Sequence, residues 1–170
     1  QRRSQMAPDG RLVLLAADHT ARRVTAAGGD PMAMTDRRGL LARILRVLRA
    51  GAADGVMASM DVLEDLLILH HMEMEDGGGG FLHETVLVAS MNRGGLYATQ
   101  WEMDDPCTGP NAETIARMGL DGGKLLFRLC PGDPGTLRTM QSCAQAVTEL
   151  NSRRLACFME PLPVRRNDGT

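Results

Sequence analysis

The sequence has 170 residues, of which 44% are hydrophobic and 24% charged, with a formal net charge of −2. That length and balance suit one globular domain burying ~70% of its unfolded surface, and exclude a disordered chain. The near-neutral charge gives no footprint for nucleic acid or an anionic membrane, and no apolar run approaches the ~20 residues of a bilayer crossing.

The basic start, Gln1-Arg2-Arg3, is followed by an apolar run at 12–17 that is too short for the core of a secretory leader and ends in Asp18. This run, with its polar exit Asp18-His19-Thr20, predicts a first buried strand. A helix follows from about Thr35-Asp36, with Leu40, Leu41, Ile44, Leu45 and Leu48 at helical spacing and arginines opposite; Gly51 stops it. Residues 54–59 form the next candidate strand. Asp61, with Glu64 three residues on, is the expected cap of a second helix whose inner face carries Val62, Leu63 and Leu66.

Residues 85–90 make the clearest strand, β-branched and apolar, leaving into Met91-Asn92-Arg93-Gly94-Gly95. A short helix is expected over 111–118 and a fourth strand over 124–129, introduced by Gly122-Gly123. Asp133-Pro134 then reads as an N-cap and N1 proline of a helix carrying Leu137, Met140, Ala144, Val147 and Leu150 on one side. A fifth strand covers 155–159 and exits into Glu160-Pro161-Leu162-Pro163. The methionines, among them Met32, Met34, Met57, Met60, Met72 and Met74, are expected to fill the core.

The strand exits Asp18, Ser59, Asn92, Cys130 and Glu160 are 41, 33, 38 and 30 residues apart, the period of βαβ crossovers in a parallel sheet. Two architectures fit. A five-stranded doubly wound domain would be complete at this length and order its strands 2-1-3-4-5. A (β/α)8 TIM barrel typically needs ~250 residues and would be represented by its first five units, in sequential order. The first exit carries Asp-His-Thr, and no glycine-rich phosphate loop occurs anywhere, which favours the barrel.

Asp18 and Glu160 end strands, while Lys124 begins one and shares a face with Leu126 and Arg128. A lysine pointing into a barrel would need a carboxylate, and Asp18 and Glu160 are the candidates. Such a cluster suits proton transfer around a carbonyl. His19, Asn92, Arg93 and Arg128 are candidate substrate contacts, with Arg22, Arg23, Arg165 and Arg166 read as solvated surface. His70-His71 lack a third ligand at suitable spacing, so no metal site and no cofactor are expected. The cysteines at 107, 130, 143 and 157 show no metal-finger spacing and read as reduced thiols of a cytoplasmic protein.

The phrases Ala16-Ala17-Asp18-His19-Thr20, Ser90-Met91-Asn92-Arg93-Gly94-Gly95, Gly122-Gly123-Lys124 and Phe158-Met159-Glu160-Pro161-Leu162-Pro163 occur in that order. Together they resemble the class I, Schiff-base-forming aldolases of the tagatose-bisphosphate and sulfosugar-phosphate type. Within that family they look closest to the deoxyribose-phosphate-aldolase-like branch associated with myo-inositol breakdown. The resemblance runs from about Leu12 to Arg166.

It implies a carbon–carbon lyase acting on a sugar phosphate or related carbohydrate, in a homo-oligomer. Asp18 would match the strand-one aspartate, Lys124 the strand-four lysine and Glu160 the strand-five acid–base glutamate. The Schiff-base lysine of that family lies on a sixth strand, so the expectation is a single domain over 1–170, cut before that strand. A chain starting at Gln and not Met agrees with a segment of something longer. The alternative is a non-catalytic carbohydrate-binding or regulatory barrel homologue, or an inactive fragment.

Overall fold

The computed structural model describes residues 6–94 and 102–164. Gly95, Trp101, Arg165 and Arg166 lie outside the described residues. Strands β1 (Leu14–Ala17), β2 (Gly55–Ala58), β3 (Val86–Ser90), β4 (Gly122–Leu129) and β5 (Ala156–Pro163) alternate with helices α1 (Arg37–Arg49), α2 (Met60–Glu75), α3 (Ala112–Arg117) and α4 (Pro134–Ser152). The strands are ordered β1-β2-β3-β4-β5, which is the sequential order of a barrel and not the 2-1-3-4-5 order of a doubly wound domain. The β1–β2, β2–β3 and β4–β5 pairs are parallel. Among the described residues no helix is long and apolar enough to cross a membrane.

The chain divides into two compact units, Gln1–Ala89 and Ser90–Thr170. In the N-terminal unit the core gathers Ile44 from α1, Val56 from β2, Leu63 and Leu66 from α2, and Leu87 and Val88 from β3. Arg37 ties α1 to α2 through Asp61 and Asp65, each at 2.7 Å, and Arg49 reaches Glu73 at 2.6 Å. Helix α2 begins two residues earlier than its sequence suggests. Its cap position is Ser59, and Asp61 lies in the first turn, where a carboxylate complements the helix dipole. His70 is a structural staple, with Nδ1 accepting from the N–H groups of Phe81 at 2.9 Å and Leu82 at 3.1 Å.

The C-terminal unit is built around β4 and β5, paired from Gly122↔Ala156 to Leu129↔Pro163. Gly122 and Gly123 belong to β4 instead of merely introducing it. A Cβ at Gly122 would meet the Ala156 carbonyl at 2.5 Å, and one at Gly123 would meet Met91 Sδ at 2.5 Å. Helix α4 is capped as its sequence predicts, Asp133 Oδ1 accepting from Gly135 N–H at 2.8 Å.

The buried face of α4 shares only Leu150 with the predicted one. Gly135, Thr139, Cys143, Ala146 and Leu150 are buried, while Leu137 and Met140 are exposed. The segment around residues 103–107 lies over that face: Thr139 Oγ1 accepts from Asp105 N–H at 2.8 Å and donates to Met103 O at 2.5 Å, and Ser142 Oγ accepts from Cys107 N–H at 3.1 Å. Only small side chains leave room for such a strap. The methionines also depart from expectation, because Met32, Met72, Met74, Met140 and Met159 are exposed and Met91 is the one among the buried hydrophobic residues.

All four cysteines are free. Burial pushes the Cys143 thiol up to about 12, with Cys107, Asp105 and Cys157 adding negative charge nearby. At pH 8 about one Cys143 in ten thousand is then a thiolate. In the folded chain Cys143 should therefore resist iodoacetamide, with exposed Cys157 alkylated first; peptide mapping that finds the two labelled equally fast contradicts this placement. An unfolded thiol titrates near 9.0 and the folded one near 12, so the contribution is complete below pH 9 and lost as pH rises towards 12.

Candidate functional site

Side chains alternate along a strand, so Lys124, Leu126 and Arg128 share one face of β4. In the parallel register, Leu126 stands beside Glu160 of β5 and Lys124 beside Phe158. The Lys124 side chain spans that offset, and its ammonium meets Glu160 Oε2 at 2.7 Å. The pair is asymmetric: the lysine side chain is 3% exposed and the glutamate 55%. Of the two carboxylates the sequence offered to Lys124, Glu160 is therefore a partner. Glu160 lies inside β5, not after it.

Lys124 has a property the motif reading passed over. The chain carries nineteen lysines and arginines, and Lys124 is the only lysine among them. An arginine-rich surface with one buried lysine singles that residue out, since an ammonium presents a compact charge and rotatable donors where a guanidinium presents a fixed fork.

In the N-terminal unit Asp18 sits at the β1 exit, 3% exposed, at the start of the 3-10 turn Thr20–Arg22. Its Oδ2 accepts from Arg22 Nε at 3.2 Å. Arg22, expected on the surface, is buried; its i,i+4 spacing from Asp18 was the available signal. His19 is about half exposed, with Nδ1 4.0 Å from Asp18 Oδ1.

The remaining predicted contacts divide by burial. Arg93 is exposed. Arg128 is buried and donates through one terminal nitrogen to Glu102 O at 3.1 Å and Asp105 Oδ2 at 3.3 Å. Asn92 is fully buried, with its Nδ2 2.7 Å from Leu126 O and 3.2 Å from Asp105 Oδ2, and its Oδ1 2.8 Å from Leu126 N. Asp105, a residue no motif singled out, thus joins Asn92, Arg128 and α4. Among the described residues no group of three His, Cys, Asp or Glu side chains is arranged to hold a metal ion.

Chemically, the Lys124–Glu160 pair couples a proton-accepting carboxylate to an ammonium able to donate to an oxygen on which charge develops. A cavity of about 330 Å³ elsewhere in this unit is lined by Met91, Cys107, Asn111, Ser142 and Glu149, among others, and by neither member of the pair.

No curated protein matches the chain. Among solved structures it is similar to Cgl0159 from Corynebacterium glutamicum, at 36% identity and a TM-score of 0.83, over 95% of this chain and 52% of that one. It also shares the fold of a fructose-bisphosphate aldolase from Slackia heliotrinireducens, at 15% identity and a TM-score of 0.68, over 99% of this chain and 51% of that one. The chain thus spans about half the length of each. Residues 10–170 match the family described as Cgl0159-like, and with this match and the 36% identical relative, the chain belongs to the Cgl0159-like family.

Proposed function

We propose that this chain supplies the first five units of a (β/α)8 barrel and the acid–base part of a class I aldolase site. The observation that carries the reading is the buried Lys124 ammonium held 2.7 Å from the Glu160 carboxylate on neighbouring strands. The sequential strand order and the likeness to a protein named as a fructose-bisphosphate aldolase support it. The substrate class is a phosphorylated ketose or related carbohydrate, as in the tagatose-bisphosphate and myo-inositol-linked branch that the motifs resemble.

In the cleavage direction Glu160 takes the proton of the substrate hydroxyl as that oxygen closes an aldehyde, and the electron pair of the broken carbon–carbon bond would pass into the iminium that a Schiff-base lysine forms with the substrate carbonyl, leaving an enamine. Lys124 fixes that carboxylate and donates to the substrate oxygen. The covalent amine, by resemblance, is a sixth-strand lysine outside these 170 residues and not Lys124. His19 and Arg93, both exposed at strand exits, are proposed to contact substrate.

The test assays the full-length product containing this chain for retro-aldol cleavage of ketose phosphates, with borohydride present to trap a Schiff base. The reading expects cleavage and a reduced adduct on a lysine other than Lys124. Cleavage of no ketose phosphate together with no trapped adduct overturns it, and favours a carbohydrate-binding relative without turnover.

A further inference from the structure

The side chain of Asn92 completes, on β4, a rung that a strand backbone would otherwise make. Met91 N–H donates to Lys124 O at 2.9 Å, while the Met91 carbonyl accepts from Gly109 N–H at 2.7 Å. The next two bonds to β4 come from one amide: Asn92 Oδ1 accepts from Leu126 N–H at 2.8 Å, and Nδ2 donates to Leu126 O at 2.7 Å. A carboxamide holds a donor and an acceptor in one plane, as a peptide unit does. Leu126 is the register partner of Glu160, and Lys124 lies two residues before it on the same face.

We infer that Asn92 is a positioning residue, whose amide fixes the β4 rung that sets Glu160 against the Lys124 ammonium. The chemical role of that pair rests on the aldolase reading above; its geometry does not. An aspartate at 92 keeps the acceptor, loses the donor to Leu126 O and brings a second carboxylate against Asp105, whose Oδ2 is 3.2 Å from Nδ2. An alanine removes both bonds.

Because Lys124 is the only lysine of these 170 residues, reductive methylation of the full-length protein with formaldehyde and cyanoborohydride reads it by peptide mapping, which also sets apart the terminal amine and any lysine outside them. Rates at Lys124 are compared in the folded full-length wild type, Asn92→Asp, Asn92→Ala, Glu160→Ala and the Asn92→Ala/Glu160→Ala double variant. Each single Asn92 variant should methylate about tenfold faster, the scale of one lost buried hydrogen bond. Asn92→Ala should add nothing once Glu160 is absent.

Asn111→Ala removes the α3 cap in the same unit and should leave the Lys124 rate unchanged, which separates positioning from general loosening. If Asn92→Ala fails to fold, the isosteric Asn92→Asp carries the test. A wild-type rate in the Asn92 variants, or equal acceleration with and without Glu160, overturns the inference. No substrate is used, so failure of the aldolase reading leaves this result decisive.

Discussion

Asp18→Ala should lower the stability of the N-terminal unit by about 3 kcal/mol, the scale of breaking a buried ion pair by removing one partner. Asp18 and Arg22 are 3% and 6% exposed, and the carboxylate oxygen is 3.2 Å from Nε. Taking away the carboxylate leaves a guanidinium in a place from which water is largely excluded, and that asymmetry makes the single deletion expensive. Replacing both members should cost less than the single change. Asp18→Ala/Arg22→Leu is therefore expected to recover part of the loss, and urea unfolding of wild type, both single variants and the double closes the cycle. A loss for Asp18→Ala within 0.5 kcal/mol, a threshold at about the level of ordinary surface substitutions, would mean the pair does not hold the strand exit.

Lys124→Met should behave in the opposite way, sparing the fold and removing the chemistry. Methionine fills much of the buried volume without bringing a charge, and the Glu160 side chain, 55% exposed, can return to water. Cleavage by the full-length protein should fall about 10²–10⁴-fold in kcat/KM, the usual worth of a positioned acid–base group, with the thermal midpoint nearly unchanged. Glu160→Gln should fall by a similar factor, since its amide cannot take the substrate proton. A Lys124→Met protein that folds and turns over at the wild-type rate would assign the lysine to structure alone.

The strands were legible because each is a short apolar run with a polar exit; the spacing of the exits gave a parallel sheet, and the sequential order was favoured by the missing phosphate loop at the first exit. Their ends were less legible. β5 runs on to Pro163 although Pro161 and Pro163 read as a loop, because it lies last in the strand order, where a strand tolerates missing N–H groups. The α4 face was misread because periodicity favours large side chains, whereas the strap at 103–107 requires small ones. Alternation along β4 was enough to place Lys124 with Leu126 and Arg128. That Lys124 meets Glu160 was not legible in the sequence, since it depends on the β4–β5 register. The bonds of Asn92 to Leu126 were not legible either, because they span 34 residues and leave no local pattern.

The central claim, that Lys124 and Glu160 act as one acid–base unit on a carbohydrate substrate, is tested most directly by kcat/KM for retro-aldol cleavage in a double-mutant cycle. The variants are Lys124→Met, Glu160→Gln and their combination in the full-length protein. Groups that act together lose their effect together, so the double variant should fall no more than about threefold below the worse single one. Losses that multiply, or a double variant with wild-type activity, would contradict the claim.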